Sequence, residues 1–564
     1  MRCRRKRTRS VLLLGLPLFL VVLSAVTDRQ FTTAAEKQAK ARLTLHSRSR
    51  VETAAGSGLF RTVAKTLNWD PKKTAIVVCD MWDLHHCLNA TRRGAEMAPR
   101  MNRVLKEARS RGVTIIHAPS RCMEFYKGHP GRKRAMTIPR ALNMPQDIGS
   151  WCYVIPSEEQ GKYPIDQTDG GEDDDLLEHR QWAAKLTALG RNPLKPWKRQ
   201  TDLLAIEEGD FISDDGHEIW SVLELHNIQT VILAGVHTNM CVLGRPFGLR
   251  NMAKNGKNVV LMRDMTDTMY NPQRAPYVSH FTGTDLIVEH IEKWVCPSIT
   301  SVDLLGGRPF RFKNDSRPHL VIVTAEREYQ TDQSLPPFAV SHLGGDFKIS
   351  HVFANPQDRN DLPGIEILDE ADVALISVRR RVLPPQQMVV IRRFVETGKP
   401  LVGIRTASHA FSLRSKEPPS GYAAWETFDP DVIGGHYVGH HGHGQQTSLR
   451  IADGLENHPI LTGVETASFV GNGSLYLSKP LGESAMPLLI GSIPGKPAEP
   501  VAWTHIRKDS GRTFYTSLGH IDDFRQPVFR RLLMNGIYWA AGLKPPDLLP
   551  RGADVKAVTA SKSE

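Results

Sequence analysis

A run of apolar residues that stops on a glycine and then delivers a cysteine constrains this chain more than any other feature. The run is Val231-Ile232-Leu233-Ala234-Gly235-Val236-His237-Thr238-Asn239-Met240-Cys241-Val242. Its first residues have the composition of a parallel strand covered on both faces. Gly235 lets the chain bend, and Thr238 and Asn239 can hold the bend with side-chain to backbone hydrogen bonds. Cys241 then opens the next helix, where helix-terminal N–H dipoles favour a thiolate. Open α/β sheets bind ligands outside the carboxyl ends of their strands, which is where this cysteine falls. An isolated cysteine is more often a small buried hydrophobe. The surroundings reverse that preference here.

Those surroundings repeat the strand–helix rhythm. Residues 73–80 form an apolar strand with Asp80 at its carboxyl end, and Met101, Val104, Leu105 and Ala108 mark a helix that Gly112 stops. Residues 113–118 give the second strand, so the order is β-α-β and the sheet is parallel. Residues 120–200 break the pattern with prolines and an acidic run, Gly170-Gly171-Glu172-Asp173-Asp174-Asp175. The run lacks EF-hand spacing. An excursion over the ligand edge of the sheet, partly a lid, fits better than a calcium loop. Strands resume at 203–206, 230–234 and 258–263, with helices at 242–254 and 285–296.

A boundary follows at 301–317, and a second α/β pattern begins with His319-Leu-Val-Ile-Val-Thr324. It continues with strands at 372–377 and 401–404 around a helix opened by Pro384-Pro385 and closed by Gly398. Strand 513–517 and helix 527–541 end it. The domains expected are therefore 1–28 as a signal peptide, 29–68 as a linker, 69–300, a linker at 301–317, 318–545, and a flexible tail at 546–564. The fold class is α/β, two domains, each a parallel-sheet α/β sandwich.

The net charge of +12 over 564 residues raises a nucleic-acid reading. Arg2, Arg4, Arg5, Lys6, Arg7 and Arg9 supply half of it, and no long basic face interleaved with aromatics follows. No nucleic-acid partner is expected. Those charges precede a sixteen-residue apolar run at 11–26, short for a membrane span and suited to an export signal. The mature protein is expected to be exported, periplasmic or secreted, with no membrane contact after cleavage; an uncleaved N-terminal anchor is the alternative. Export permits disulfides, and one bridge among Cys87, Cys122 and Cys152 stays open.

Residues 73–300 resemble the isochorismatase-like cysteine hydrolases, the family of nicotinamidases and related amidases. Val77-Val78-Cys79-Asp80-Met81 resembles its first-strand Asp motif, and Gly235…Thr238…Cys241-Val242 its cysteine turn. The resemblance implies a three-layer doubly wound sheet, a possible homo-oligomer, and hydrolysis of a small amide or related bond. Cys241 is the expected nucleophile and Asp80 the base that takes its proton and later protonates the leaving amine. Backbone amides around 236–241 are the expected oxyanion donors. Trp82, His237, Thr238 and Asn239 are expected at the substrate.

The family's third element is a lysine, and this chain departs from it. The corresponding stretch, 205–213, carries Glu207 and Glu208. Glu208 is retained as a third candidate catalytic residue, although an added anion would raise the thiol pKa. Lys195, Lys198 or His237 are candidate substitutes for the cation. Some nicotinamidases bind a metal through an Asp-x-His pair, a spacing that Asp83 and His85 share. No cofactor is expected beyond a possible divalent metal there or in the second domain; polar pocket residues are the competing reading.

Residues 318–545 resemble the trehalose-utilisation (ThuA-like) domains, relatives of the class I glutamine amidotransferase and flavodoxin-like folds. The motifs are Pro400-Leu-Val-Gly-Ile-Arg-Thr-Ala-Ser-His409, Gly434-Gly-His-Tyr-Val-Gly-His440, His458-Pro459-Ile460, 511–520 and 533–542. The resemblance points to carbohydrate-related small molecules. Ser408 occupies the turn where amidotransferase relatives carry a nucleophile, but no elbow glycine follows and no acid partner is evident. His436, His440, His441 and His443 sit among glycines; His441 and His443 are candidate metal ligands, against a mobile polar loop. Arg405, Ser408, His409, His436, His440 and His520 are the substrate-pocket candidates.

Overall fold

A computed structural model describes residues 42–414, 416–442, 444, 446–547 and 549. The expected leader, the first part of the expected linker, His443 and most of the expected tail lie outside the described residues.

The chain opens with β1 (Leu43–Glu52) and β2 (Phe60–Trp69), followed by β3 (Thr74–Cys79), α1 (Leu88–Ser110), β4 (Thr114–Ala118), α2 (Pro130–Thr137) and α3 (Leu176–Ala188). It continues through β5 (Phe211–Ile212), α4 (Gly216–Leu225), β6 (Thr230–Val236), α5 (Leu249–Lys254), β7 (Asn258–Asp267), α6 (His280–Trp294), β8 (Ser298–Ile299) and α7 (Val302–Leu305). These strands make one eight-stranded sheet in the order β2-β1-β8-β7-β6-β3-β4-β5. Every pair from β8 to β5 is parallel. All residues of β3 and β6 are buried, because helices cover both faces. Ala75, Val77, Val231 and Leu233 feed one apolar cluster and Ile76, Val78, Ile232 and Ala234 the other, as the two-residue strand period demands.

Three expectations change here. Residues 43–69 are no linker: they form an antiparallel hairpin, β1 with β2, that extends the sheet through β8. Leu43 and Leu45 plug the core, while Arg48 and Arg50 bind the buried Glu292 at 2.8 and 3.1 Å. Residues 203–206 are loop, and the strand there is Phe211–Ile212, because Asp210 folds the loop back onto Arg109 and His117. Residues 306–317 are packed on the first domain: Phe312 stacks on Phe281 and Asp264 accepts from the Phe310 amide. The six described cysteines are all free, so no bridge joins Cys87, Cys122 and Cys152.

The second sheet starts with β9 (His319–Ala325), followed by α8 (Thr331–Phe338), β10 (Lys348–Phe353), β11 (Val373–Val378), α9 (Pro385–Glu396) and β12 (Leu401–Ile404). Then come β13 (Gly439–His441), β14 (Thr447–Ile451), β15 (Val470–Gly471), β16 (Leu475–Leu477), β17 (Ala485–Ser492), β18 (Glu499–Ile506), β19 (Arg512–Thr516) and α10 (Pro527–Ala540). The order is β10-β9-β11-β12-β19-β18-β17-β14-β15, with β13 and β16 as a separate pair. From β10 to β19 the pairs are parallel; from β19 to β15 they are antiparallel. The expected parallel sandwich thus describes half of this sheet. Among the described residues the molecule is α/β, with two large sheets whose strand pairs taken together are mostly parallel, and no barrel.

Candidate functional site

Asp80 leaves β3 with a left-handed backbone (φ 46°), a conformation that costs a non-glycine residue about 1–3 kcal/mol and is held only by its surroundings. The holders are specific. The Asp80 amide donates to Ala118 O at 3.1 Å, and Oδ1 accepts from the Ser120 amide at 2.6 Å. On the neighbouring strand, Gly235 (φ 108°) brings β6 so close to β3 that a Cβ would lie 2.0 Å from Cys79 O. The chain then makes one widened helical turn, Thr238–Val242, braced by Thr238 Oγ1 on Thr266 Oγ1 at 2.7 Å.

That turn sets Cys241 against Asp80, near enough for the thiol and the carboxyl group to shift each other's ionisation. Arg245, four residues on, completes the group. Its Nε lies 3.3 Å from Asp80 Oδ2, its charge also acts on the Cys241 thiol, and its guanidinium covers the Trp151 ring at 4.7 Å. The cation beside Asp80 thus lies four residues after the cysteine, and the loop 205–213 supplies none. The signal was present in the sequence as a cation one helical turn after the cysteine.

The electrostatics follow from burial. Asp80 is raised from its ordinary value by desolvation, against the pull of Arg245, the neighbouring Cys241 thiol and the Ser120 amide. Cys241, 6% exposed, is pushed well above an ordinary thiol, first by burial and then by the Asp80 charge, with Arg245 opposing. Cys241 therefore rests as a thiol, and the expected free thiolate is corrected: desolvation outweighs the turn's dipoles. The amides of Met240 and Val242 both donate to His237 O, at 3.0 and 3.1 Å, which narrows the expected oxyanion donors.

The other candidates separate clearly. Glu207 and Glu208 are exposed, and Glu208 takes no part in the group. Lys195 and Lys198 are exposed as well. His237 is buried with neither ring nitrogen bonded, and burial holds it down to about 4, so it is neutral and cannot replace the cation. Asn239 bridges Gln167 and both backbone groups of Met269, which makes it a fastener between the turn and the excursion. Trp82 stacks on Trp197 with centroids 4.6 Å apart and His85 alongside at 5.9 Å. Trp197 was not singled out from the sequence.

Asp83 and His85 do not form a metal pair. Asp83 is held by Arg191 at 2.9 Å and by the Leu84 and Lys198 amides, and His85 Nδ1 accepts from the Cys87 amide. Among the described residues, the one group whose ligand atoms converge within 4.8 Å is Cys87, Asp173 and Asp174. Its carboxylates already serve Arg93 and the Leu88 and Asn89 amides at the start of α1. The acidic run thus anchors the excursion to the first helix.

In the second domain, Arg405 (φ 49°) ends β12 as Asp80 ends β3. It is fully buried between the rings of Tyr329 and Tyr476, at 4.4 and 4.5 Å, and donates to Ser474 O and Ser517 O. Ser408 is buried, and its hydroxyl meets Tyr515 OH at 2.9 Å, a partner that is no general base. His409 is buried with Nδ1 unbonded; burial and the arginines around it hold it well below an ordinary histidine. The histidine loop does not converge. His436 Nδ1 turns to Asp429 at 2.9 Å and His440 Nδ1 to Tyr437 OH at 2.6 Å, while His440 and His441, adjacent on β13, face opposite ways. His520 does line a cavity of about 350 Å3, with Glu328, Tyr329, Asn472, Ser474 and Asp522.

Residues 319–540 match the family model described as trehalose utilisation (ThuA). No curated protein matches the chain in sequence. Among solved structures, a ThuA-like protein from Parabacteroides merdae ATCC 43184 is 17% identical, with a TM-score of 0.32, over 42% of this chain and 99% of its own. A cysteine hydrolase from Pseudomonas syringae pv. phaseolicola 1448A is 16% identical, with a TM-score of 0.26, over 44% of this chain and 96% of its own. An isochorismatase family protein from Burkholderia thailandensis is 14% identical, with a TM-score of 0.23, over 41% and 94%.

Proposed function

With residues 319–540 a trehalose utilisation domain, we propose that the residues before it form a cysteine hydrolase of a small amide or ester-like substrate. The observation that carries this reading is the meeting of Cys241, Asp80 and Arg245 at the carboxyl ends of β3 and β6. The Cys241 thiol gives its proton to Asp80 while the sulfur attacks the carbonyl carbon. The C–N or C–O bond breaks as Asp80 returns that proton to the leaving amine or alkoxide. Water then attacks the thioester, passing a proton to Asp80, and the freed thiolate recovers it as the acid leaves. Arg245 favours the ionised form of Asp80 against the cost of its burial and lies beside the charge that develops on sulfur.

The test is a panel of small amides and esters, with wild type beside Cys241→Ala. Turnover confined to the wild type supports the reading; equal turnover in both moves the chemistry elsewhere. A second reading has its own observation. The burial of Cys241 and its raised thiol pKa suit a catalytically degenerate scaffold, with carbohydrate binding or processing left to the second domain. Export through residues 1–28 belongs to the same proposal. Among the described residues no helix is long and apolar enough to cross a membrane.

A further inference from the structure

Four arginines converge where the parallel half of the second sheet ends. Arg327 follows β9, Arg359 lies in the loop after β10, and Arg379 and Arg381 follow β11. Together with Glu328 they bound a cavity of about 120 Å3. A single water needs only about 10–15 Å3 of such space, so a tetrahedral oxyanion has room. This edge of an open α/β sheet is where its ligands bind.

The charge there is not balanced from within. Glu328 pairs with Arg379 at 2.7 Å. The buried Glu326 has both oxygens occupied by the Tyr329 and Thr331 amides and the Thr331 hydroxyl. Among the described residues, no carboxylate lies within ion-pair reach of Arg327, Arg359 or Arg381. Arg327 and Arg359 each donate to a backbone carbonyl instead, Pro356 O and Arg380 O. Arg381 is 5% exposed, and its Nε is buried with no acceptor. Burial and the three neighbouring guanidiniums pull Arg381 down to about 10. Like charges gathered in a half-desolvated recess repel one another, and a bound anion relieves both the repulsion and the unpaired donor.

We propose that this cavity binds a tetrahedral oxyanion, phosphate or sulfate, carried as an ester on a polar small molecule. Planar forked donors match such oxygens in pairs, which lysine cannot do. Glu328 is shared with the larger cavity lined by Tyr329, Asn472, Ser474, His520 and Asp522. The body of the ligand therefore has a polar chamber beside the anion. The site stands apart from Cys241 and does not depend on the hydrolase reading.

The experiment is titration calorimetry of the full chain with inorganic phosphate and, separately, inorganic sulfate at low ionic strength. Saturable binding of one ion per chain is expected, weakening as sodium chloride is added. Arg327→Gln with Arg359→Gln removes two exposed charges and should weaken binding at least tenfold; Arg381→Gln should do the same. Arg393→Gln, on the exposed pair with Asp369, should leave it unchanged. Tighter phosphate binding on raising the pH through the second phosphate ionisation assigns the ester as phosphate; preference for sulfate with no pH dependence assigns it as sulfate. No saturable heat with either ion, equal affinity in the double variant, or an equal loss in Arg393→Gln overturns the proposal.

Discussion

Arg245 Nε stands 3.3 Å from Asp80 Oδ2, so a cation four residues after the cysteine opposes the desolvation that raises the acid that must receive the thiol proton. Replacing that guanidinium isolates its contribution. Arg245→Gln should lower kcat/KM for the best substrate of the panel about 10²-fold or more, the scale of a lost charge-stabilising donor in a dry site. Arg245→Lys should recover part of it. Equal rates in wild type and Arg245→Gln would remove Arg245 from the account.

The thiol has a signed pH behaviour. Burial and the Asp80 charge raise Cys241 well above an ordinary thiol, near pH 8.5. Its alkylation rate should still be climbing at pH 9. Asp80→Asn removes a charge that disfavours the thiolate, so alkylation at neutral pH should quicken; Arg245→Gln should slow it. A plateau below pH 8 in the wild type would contradict these assignments.

Gly235 is bound to its place by space as well as by backbone. With φ at 108° and a prospective Cβ 2.0 Å from Cys79 O, Gly235→Ala must part β3 from β6. A loss of at least about 3 kcal/mol is expected in urea denaturation, from clash and strain together. Little change in the midpoint would mean that the two strands are not so closely joined.

How much of this the sequence disclosed depends on how far apart the interacting residues lie. β3 and β6 were readable because a strand buried on both faces is a continuous apolar run. The hairpin of β1 and β2 was not. Its polar face, with Arg48 and Arg50, is satisfied by Glu292, some 240 residues away, and locally it looks like a linker. Cys241 and Asp80 stand in recognisable motifs, whereas Arg245 does not: the family's cation corresponds to the loop 205–213, whose Glu207 and Glu208 face solvent. The histidines at 436–441 looked like a cluster along the chain. In space, Asp429 and Tyr437 draw His436 and His440 apart.

Glu292 gives the hairpin a pH dependence. Arg48, Arg50 and Arg263 hold this buried acid down at about 2, against the cost of burial. A depressed acid contributes stability above its unfolded value, near 4.3, and loses it as pH falls toward 2. The contribution is about 3 kcal/mol when complete. The stability gap between wild type and Glu292→Gln should therefore close between pH 5 and pH 2. A gap that stays constant over that window would show that the acid is not ionised in the folded protein.

Intact-protein mass spectrometry after acid quench, on enzyme turning over the best ester of the panel, tests the central claim most directly. The account expects wild type to carry one acyl group, mapped to Cys241 by digestion, and Cys241→Ala to carry none and to hydrolyse nothing. Continued hydrolysis by Cys241→Ala, or an acyl group on another residue of the wild type, would contradict it.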